Sequence, residues 1–285
     1  MYSQEITRRH RGAIVIAIDQ SCSMGGRMML KGWDLSKAEV VSMVVGQLVD
    51  ELIMRSHREN VYRDYYDVAL VGYSGSEVYP LFGDELMFYP ITAFVDRKVP
   101  SVSYSLDFKT FNRNETPLVE PVSLWVEPRA QGATPMYKMI NRVIELVSDW
   151  CSREENMDSF PPLVFNITDG EASDANYEML RAAAHKLQNI STTDGKTLFM
   201  NIHITSDTNH EQILFPTLQE VPLEIRHAHL MMDMSSIAPE QLYTYIRKCR
   251  TSVGHPPYIA MSYNASMSAL IAVLNIGSRS VLMGL

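Results

Sequence analysis

Hard oxygen donors in this chain collect where apolar runs end. The run at 13–18 (Ala-Ile-Val-Ile-Ala-Ile) stops on Asp19. The string Asp19-Gln20-Ser21-Cys22-Ser23 then presents a carboxylate and two hydroxyls at alternate positions before Met24-Gly25-Gly26 turns the chain. A second apolar run, 162–168, stops on Asp169-Gly170, and Gly132-Ala133-Thr134-Pro135 sets another hydroxyl in a tight loop ahead of a helical pattern. Carboxylate and hydroxyl oxygens gathered at strand ends are what a small divalent cation such as Mg²⁺ asks for. Each piece also has a plainer reading. Asp19 and Ser21 can end a strand and cap a turn, Thr134 can cap the helix that Pro135 opens, and Asp169-Gly170 is a common turn dipeptide.

The elements that must position these donors are legible in the periodicity. Residues 13–18 are continuously apolar and rich in Ile and Val, as in a strand buried on both faces. A helix is expected over 31–55, with Ser36-Lys-Ala-Glu39 as a capping box and Val40, Val44, Leu48 and Leu52 on one face. Strands are expected at 67–73, at 77–82 paired with it, at 162–168 and at 198–204. Helices are expected from Pro135 to about Cys151 and from about Ala175 to Leu187. Further on, 211–218 reads as a short helix, 227–232 as a last strand, 239–251 as a helix and 265–276 as an amphipathic stretch. Between about 83 and 130 prolines recur without a sustained period, which reads as an insertion of loops and short strands.

Strands alternating with helices imply an α/β fold. The expected form is a doubly wound, mostly parallel central sheet with helices on both faces. Ligands of such sheets bind at the carboxyl ends of strands where the winding reverses. Both Asp-bearing loops lie at such ends, and they face each other if the strands at 13–18 and 162–168 are neighbours.

Composition narrows the functional classes. With 285 residues, 46% hydrophobic and 20% charged, the chain has the make-up of an ordinary globular protein. A net charge of −8 argues against a nucleic-acid surface. The one dense basic run, Arg8-Arg9-His10-Arg11, reads as a solvated lead-in to the first strand. Three cysteines, Cys22, Cys151 and Cys249, stand far apart with no C-x-x-C, which fits a reducing compartment. No apolar run of about 18 residues and no signal-peptide pattern occur, so a cytoplasmic protein without a membrane span is expected. Cys22 is expected to pack inward, and the 18 methionines to fill the core. His227-Ala-His229 reads as a strand-end pair rather than a metal site.

Taken together, D-x-S-x-S, a Thr in a later loop and a T-D-G turn make the chain resemble the von Willebrand factor A-type domain, the fold shared with integrin I domains. The resemblance covers most of 12–235 and implies a Rossmann-like fold with a metal-ion-dependent adhesion site at Asp19, Ser21, Ser23, Thr134 and Asp169. On that reading the chain, 1–285, is a single such domain, with the insertion at about 83–130 and a C-terminal helical extension from about 235. The hydroxyls are neutral ligands, the aspartates supply charge directly or through water, and one vertex of the octahedron stays open. The resemblance implies that a Glu or Asp of a protein partner fills that vertex. Mg²⁺ is the expected ion, with Mn²⁺ and Ca²⁺ as the alternatives the donors admit. Glu171 is placed near the site without touching the ion.

The function implied is that of an intracellular, non-catalytic adaptor or scaffold, in relatives often beside an AAA+ ATPase or within a kinase and phosphatase system. Neither nucleic acid nor membrane is an expected partner. Two alternatives stand beside it. One is a Mg²⁺-assisted hydrolase or phosphotransferase, though no H-E-x-x-H, G-x-x-x-x-G-K-[ST] or G-x-S-x-G motif occurs. The other is a scaffold that binds through the insertion or the tail, with a metal site that no longer functions.

Overall fold

Eight consecutive buried residues, Gly12–Asp19, form the first strand, β1, with no polar side chain until its last position. Such a strand has to lie inside a sheet covered on both faces. The computed structural model describes residues 2–30, 33–102, 122–204, 212–221, 226–250 and 254–265, and it puts β1 at the centre of the main sheet.

In chain order there follow a hairpin of β2 (Arg27–Leu30) and β3 (Trp33–Ser36), helix α1 (Lys37–Ser56), β4 (Tyr66–Ser74) and β5 (Glu77–Pro80). Then come α2 (Met136–Ser152), β6 (Leu163–Thr168), α3 (Tyr177–Gln188), β7 (Leu198–Ile204) and β8 (Ile213–Leu214). The last described elements are α4 (Arg226–Met234), α5 (Tyr243–Cys249) and β9 (Met261–Ala265). The sheet runs β5-β4-β1-β6-β7-β9-β8. Neighbours from β4 through β9 pair in parallel, while β5 and β8 pair antiparallel at the two edges. From β1 the chain winds first to β4 on one side and later to β6 on the other. The reversal falls at β1, and its carboxyl end is where a ligand site belongs.

Alternation along β1 sorts the core into two layers. Ile14, Ile16 and Ile18 pack with Val41, Val44, Val45, Leu48 and Leu52 of α1 and with Ile246 of α5. Ala13, Val15 and Ala17 face the opposite layer, with Val143 and Val147 of α2, Leu180 and Leu187 of α3, and Met231 of α4. A fully buried Ile or Val contributes roughly 1.5–3 kcal/mol, so this central strand holds both layers in place.

Several expectations are corrected by the structure. The helix expected from 31 begins at Lys37, because the capping box at Ser36 fixes its start and Arg27–Leu30 pairs with Trp33–Ser36 instead. The strand expected at 227–232 is helix α4, whose Ala228, Met231 and Met232 are spaced to bury one helical face. The short helix expected at 211–218 supplies β8, paired with Ser262 and Tyr263. The segment read as a helical extension from about 235 contains α5 and also β9, a parallel strand of the main sheet. The amphipathic stretch at 265–276 lies outside the described residues apart from its first position, which ends β9.

In the 83–130 region, Phe94, Trp125 and Val126 join the α1 layer, and the Trp125 indole N–H donates to Asp50 Oδ1 at 2.7 Å. Residues 103–121 of that region lie outside the described set. Among the described residues, no helix is long and apolar enough to cross a membrane.

Candidate metal centre

Register brings the first two pieces together. Ile18 of β1 lies opposite Ile167 of β6, so Asp19 ends its strand beside Thr168. The Thr168 hydroxyl donates to Asp19 Oδ2 at 2.6 Å, and the Ser21 amide donates to Oδ1 at 2.9 Å. Asp19 is fully buried, and desolvation, opposed by these hydrogen bonds, pushes its pKa above the usual 3.8. The nearby charge of Asp169 pushes the same way.

Ser21 Oγ and Ser23 Oγ lie 3.0 Å apart, and the Ser23 hydroxyl donates to Asp169 Oδ1 at 2.6 Å. Adjacent ligands of an octahedral Mg²⁺ with bonds of 2.0–2.1 Å are separated by about 3 Å. The three oxygens therefore already stand near the spacing one small ion requires. The remaining Asp169 oxygen, Oδ2, accepts from the Lys37 ammonium at 2.7 Å.

Backbone hydrogen bonds stitch the Thr134 loop to both others. The Cys22 amide donates to Gly132 O at 2.9 Å and the Gln131 amide to Gln20 O at 2.8 Å. On the other side Ser173 N–H donates to Thr134 O at 2.9 Å, and Thr134 N–H donates to Ser173 Oγ at 3.0 Å. Gly132 takes a positive φ of 76° and packs so close to the Gly75 backbone that a Cβ there would come within 2.7 Å of it. Only glycine fits that crossing of loops.

Thr134 is not the cap of α2. Asp174 does that work, its two carboxylate oxygens accepting from Tyr137 N–H at 3.0 Å and Lys138 N–H at 2.9 Å. Pro135, at the N-cap position of α2, makes no side-chain cap hydrogen bond of its own.

All five residues singled out in the sequence thus sit on three loops at one end of the sheet. The donor set suits a hard dication, with two carboxylates for charge and three hydroxyls as neutral oxygens. Among the described residues no cluster of three or more His, Cys, Asp or Glu forms, so a cation here would depend on the hydroxyls. Glu171 is exposed beside the loops.

Cys22 is exposed rather than inward, its Sγ accepting the Gly132 amide at 3.0 Å, because the turn at Cys22–Gly25 points it toward the neighbouring loop. His227 and His229 lie on helix α4 and not on a strand face, and His227 Nε2 is 3.1 Å from the Tyr263 hydroxyl. Tyr263 also stacks on His203, 4.8 Å between ring centroids. Burial, helped by His227, drives the His203 pKa down to about 4.

Sequence reasoning missed Thr168, Ser173, Asp174 and Lys37 as parts of the site. Thr168 had a visible signal, since it opens the T-D-G string. Lys37 had none, for its partner Asp169 lies far away in sequence.

Fold and site together define an α/β chain with an oxygen-lined pole at the switch point of its sheet. The order, parallel pairing and double winding are those of a Rossmann-like, doubly wound α/β fold. No protein-family model matches the sequence, and no curated protein is similar to it. Solved structures similar to it include the manganese-loaded TRAP protein of Plasmodium vivax, at 14% identity and a TM-score of 0.44, covering 96% of this chain and 74% of that one. A von Willebrand factor type A structure from Catenulispora acidiphila has 12% identity and a TM-score of 0.41, with 70% of this chain and 34% of that one covered. Proximal thread matrix protein 1 of the mussel byssus, with a zinc-occupied MIDAS motif, has 13% identity and a TM-score of 0.38, with 70% and 37% covered. The chain thus spans about a third of the length of two of these proteins.

Proposed function

We propose that this chain is a metal-dependent protein-binding module. A divalent cation held by Asp19, Ser21, Ser23, Thr134 and Asp169 takes its open coordination position from a Glu or Asp of a partner protein. The observation that carries the reading is the chain of contacts from Ser21 Oγ to Ser23 Oγ to Asp169 Oδ1, at 3.0 and 2.6 Å, assembled from two loops at neighbouring strand ends.

The chemistry follows from the donor set. Hydroxyl ligands leave the ion less neutralised than an all-carboxylate cage would, so it retains a strong pull on an outside anionic oxygen. Asp19, with both oxygens already accepting hydrogen bonds, contributes charge and orientation. Mg²⁺ is the ion we favour, on hardness and abundance, with Mn²⁺ and Ca²⁺ as substitutes. The reading is non-catalytic, and its setting is an adaptor role inside the cell, beside an AAA+ ATPase or a kinase and phosphatase set.

The test is a pull-down from the native source with Mg²⁺, with excess chelator, and with Asp19→Ala. Capture that is lost in both the chelated and the Asp19→Ala arms, and restored by adding Mg²⁺ back to the first, is the expected result. Equal capture in all arms would remove the metal bridge from the account.

A further inference from the structure

We propose that Lys37 is a built-in competitor for the cation site, an internal ammonium that a divalent ion must displace from Asp169. The inference rests on the metal-binding reading above and concerns what regulates that site.

Lys37 is the first residue of α1, where the helix dipole disfavours a positive charge, and its side chain is only 11% exposed. Lysine is rarely buried without a partner, and fixing its four-carbon stem costs rotamer freedom. Only a strong local demand for a cation holds it there. That demand is Asp169, whose side chain is 1% exposed and lies 2.7 Å from Nζ.

Both Asp169 oxygens are engaged. Oδ2 accepts from Lys37, and Oδ1 accepts from Ser23, which in turn contacts Ser21. A dication held by the serine oxygens and Asp169 would have to share this carboxylate with the ammonium, and two like charges on one buried carboxylate repel.

Local construction keeps the lysine in reach. Its amide donates to Gly26 O at 2.9 Å, which closes the base of the β2–β3 hairpin directly after the D-x-S-x-S loop. A Cβ on Gly26 would stand 3.2 Å from Ser23 O, 3.3 Å from Lys37 Cε and 3.4 Å from Nζ, so the lysine stem runs in tight contact with this turn. The hairpin thus delivers the ammonium to the site at the point where the helix starts. Divalent ion and Lys37 become alternative partners of Asp169, and the concentration of free ion at which the face can bind is set by that exchange.

The experiment has two arms on the purified chain, with MnCl₂ as the probe. Calorimetric titration compares wild type with Lys37→Met, which keeps the length and removes the charge, and with Lys37→Arg, which keeps the charge. Acylation of Lys37 in the wild type, read by mass spectrometry with and without Mn²⁺, needs no variant to fold. The expected result is Mn²⁺ affinity at least about tenfold tighter in Lys37→Met and not in Lys37→Arg, with Lys37 acylation rising several-fold on adding Mn²⁺. If Lys37→Met binds no tighter than wild type, or Lys37 stays shielded at saturating Mn²⁺, the competitor role is overturned while the metal site stands. If neither wild type nor Lys37→Met binds Mn²⁺, both this inference and the proposed function fall.

Discussion

Asp19 and Asp169 carry the same charge and serve the site differently. Asp19 has both oxygens filled by Thr168 and Ser21 donors, so it acts by orientation and field. Asp169 offers its oxygens to side chains that can move away, Ser23 and Lys37. Because burial raises the Asp19 pKa, a cation that needs the carboxylate charged binds more weakly as pH falls through a range above the ordinary 3.8.

His203 titrates in the opposite sense. Its folded pKa of about 4 lies below the 6.5 of an unfolded chain, so the unfolded state holds the extra proton between those values. Stability from neutral His203 is complete above about pH 6.5 and is lost as pH falls toward 4. The loss is at most about 3 kcal/mol. Urea denaturation from pH 7 to 4.5 is expected to have a shallower acid slope in His203→Phe than in wild type. Equal slopes would mean that His203 does not carry this proton. The five ligand candidates were legible because motif spacing and strand ends are written in the chain. Asp174 and Lys37 act through partners remote in sequence, and nothing local marks such a residue.

Elements were read well where one period dominated. β1, β6, α1 and α2 have long, one-sided or two-sided apolar patterns that match their buried faces. The errors fell on short runs. His227-Ala-His-Leu-Met-Met alternates twice and then turns apolar, which fits either period until its packing against α3 and β7 decides for a helix. Arg27–Leu30 and Trp33–Ser36 show no helical period because they pair with each other as antiparallel strands.

Element ends also have a testable logic. Asp174 caps α2 from a different loop, and it thereby ties the Asp169 loop to the helix that follows Thr134. Asp174→Ala is expected to destabilise the protein by about 1 kcal/mol, as lost caps do. A chemical denaturation midpoint unchanged from wild type would contradict that cap.

At the scale of the whole molecule, the winding of the sheet is what turns scattered oxygens into one site. Outward winding from β1 in both directions makes β1 and β6 neighbours, and the third loop is drawn in by backbone hydrogen bonds rather than by strand pairing. The doubly wound plan was therefore legible, while β9 and the edge strand β8 were not, since their pairing depends on neighbours and not on their own sequence.

The central claim is that three loops hold a single divalent ion. Crystals grown with Mn²⁺ and measured at its absorption edge test it most directly. The account predicts one strong anomalous peak bonded to oxygens of Ser21, Ser23 and Thr134 and held by Asp19 and Asp169 directly or through water. Well-ordered loops with no peak among those oxygens, or with the only peaks elsewhere on the molecule, would contradict it.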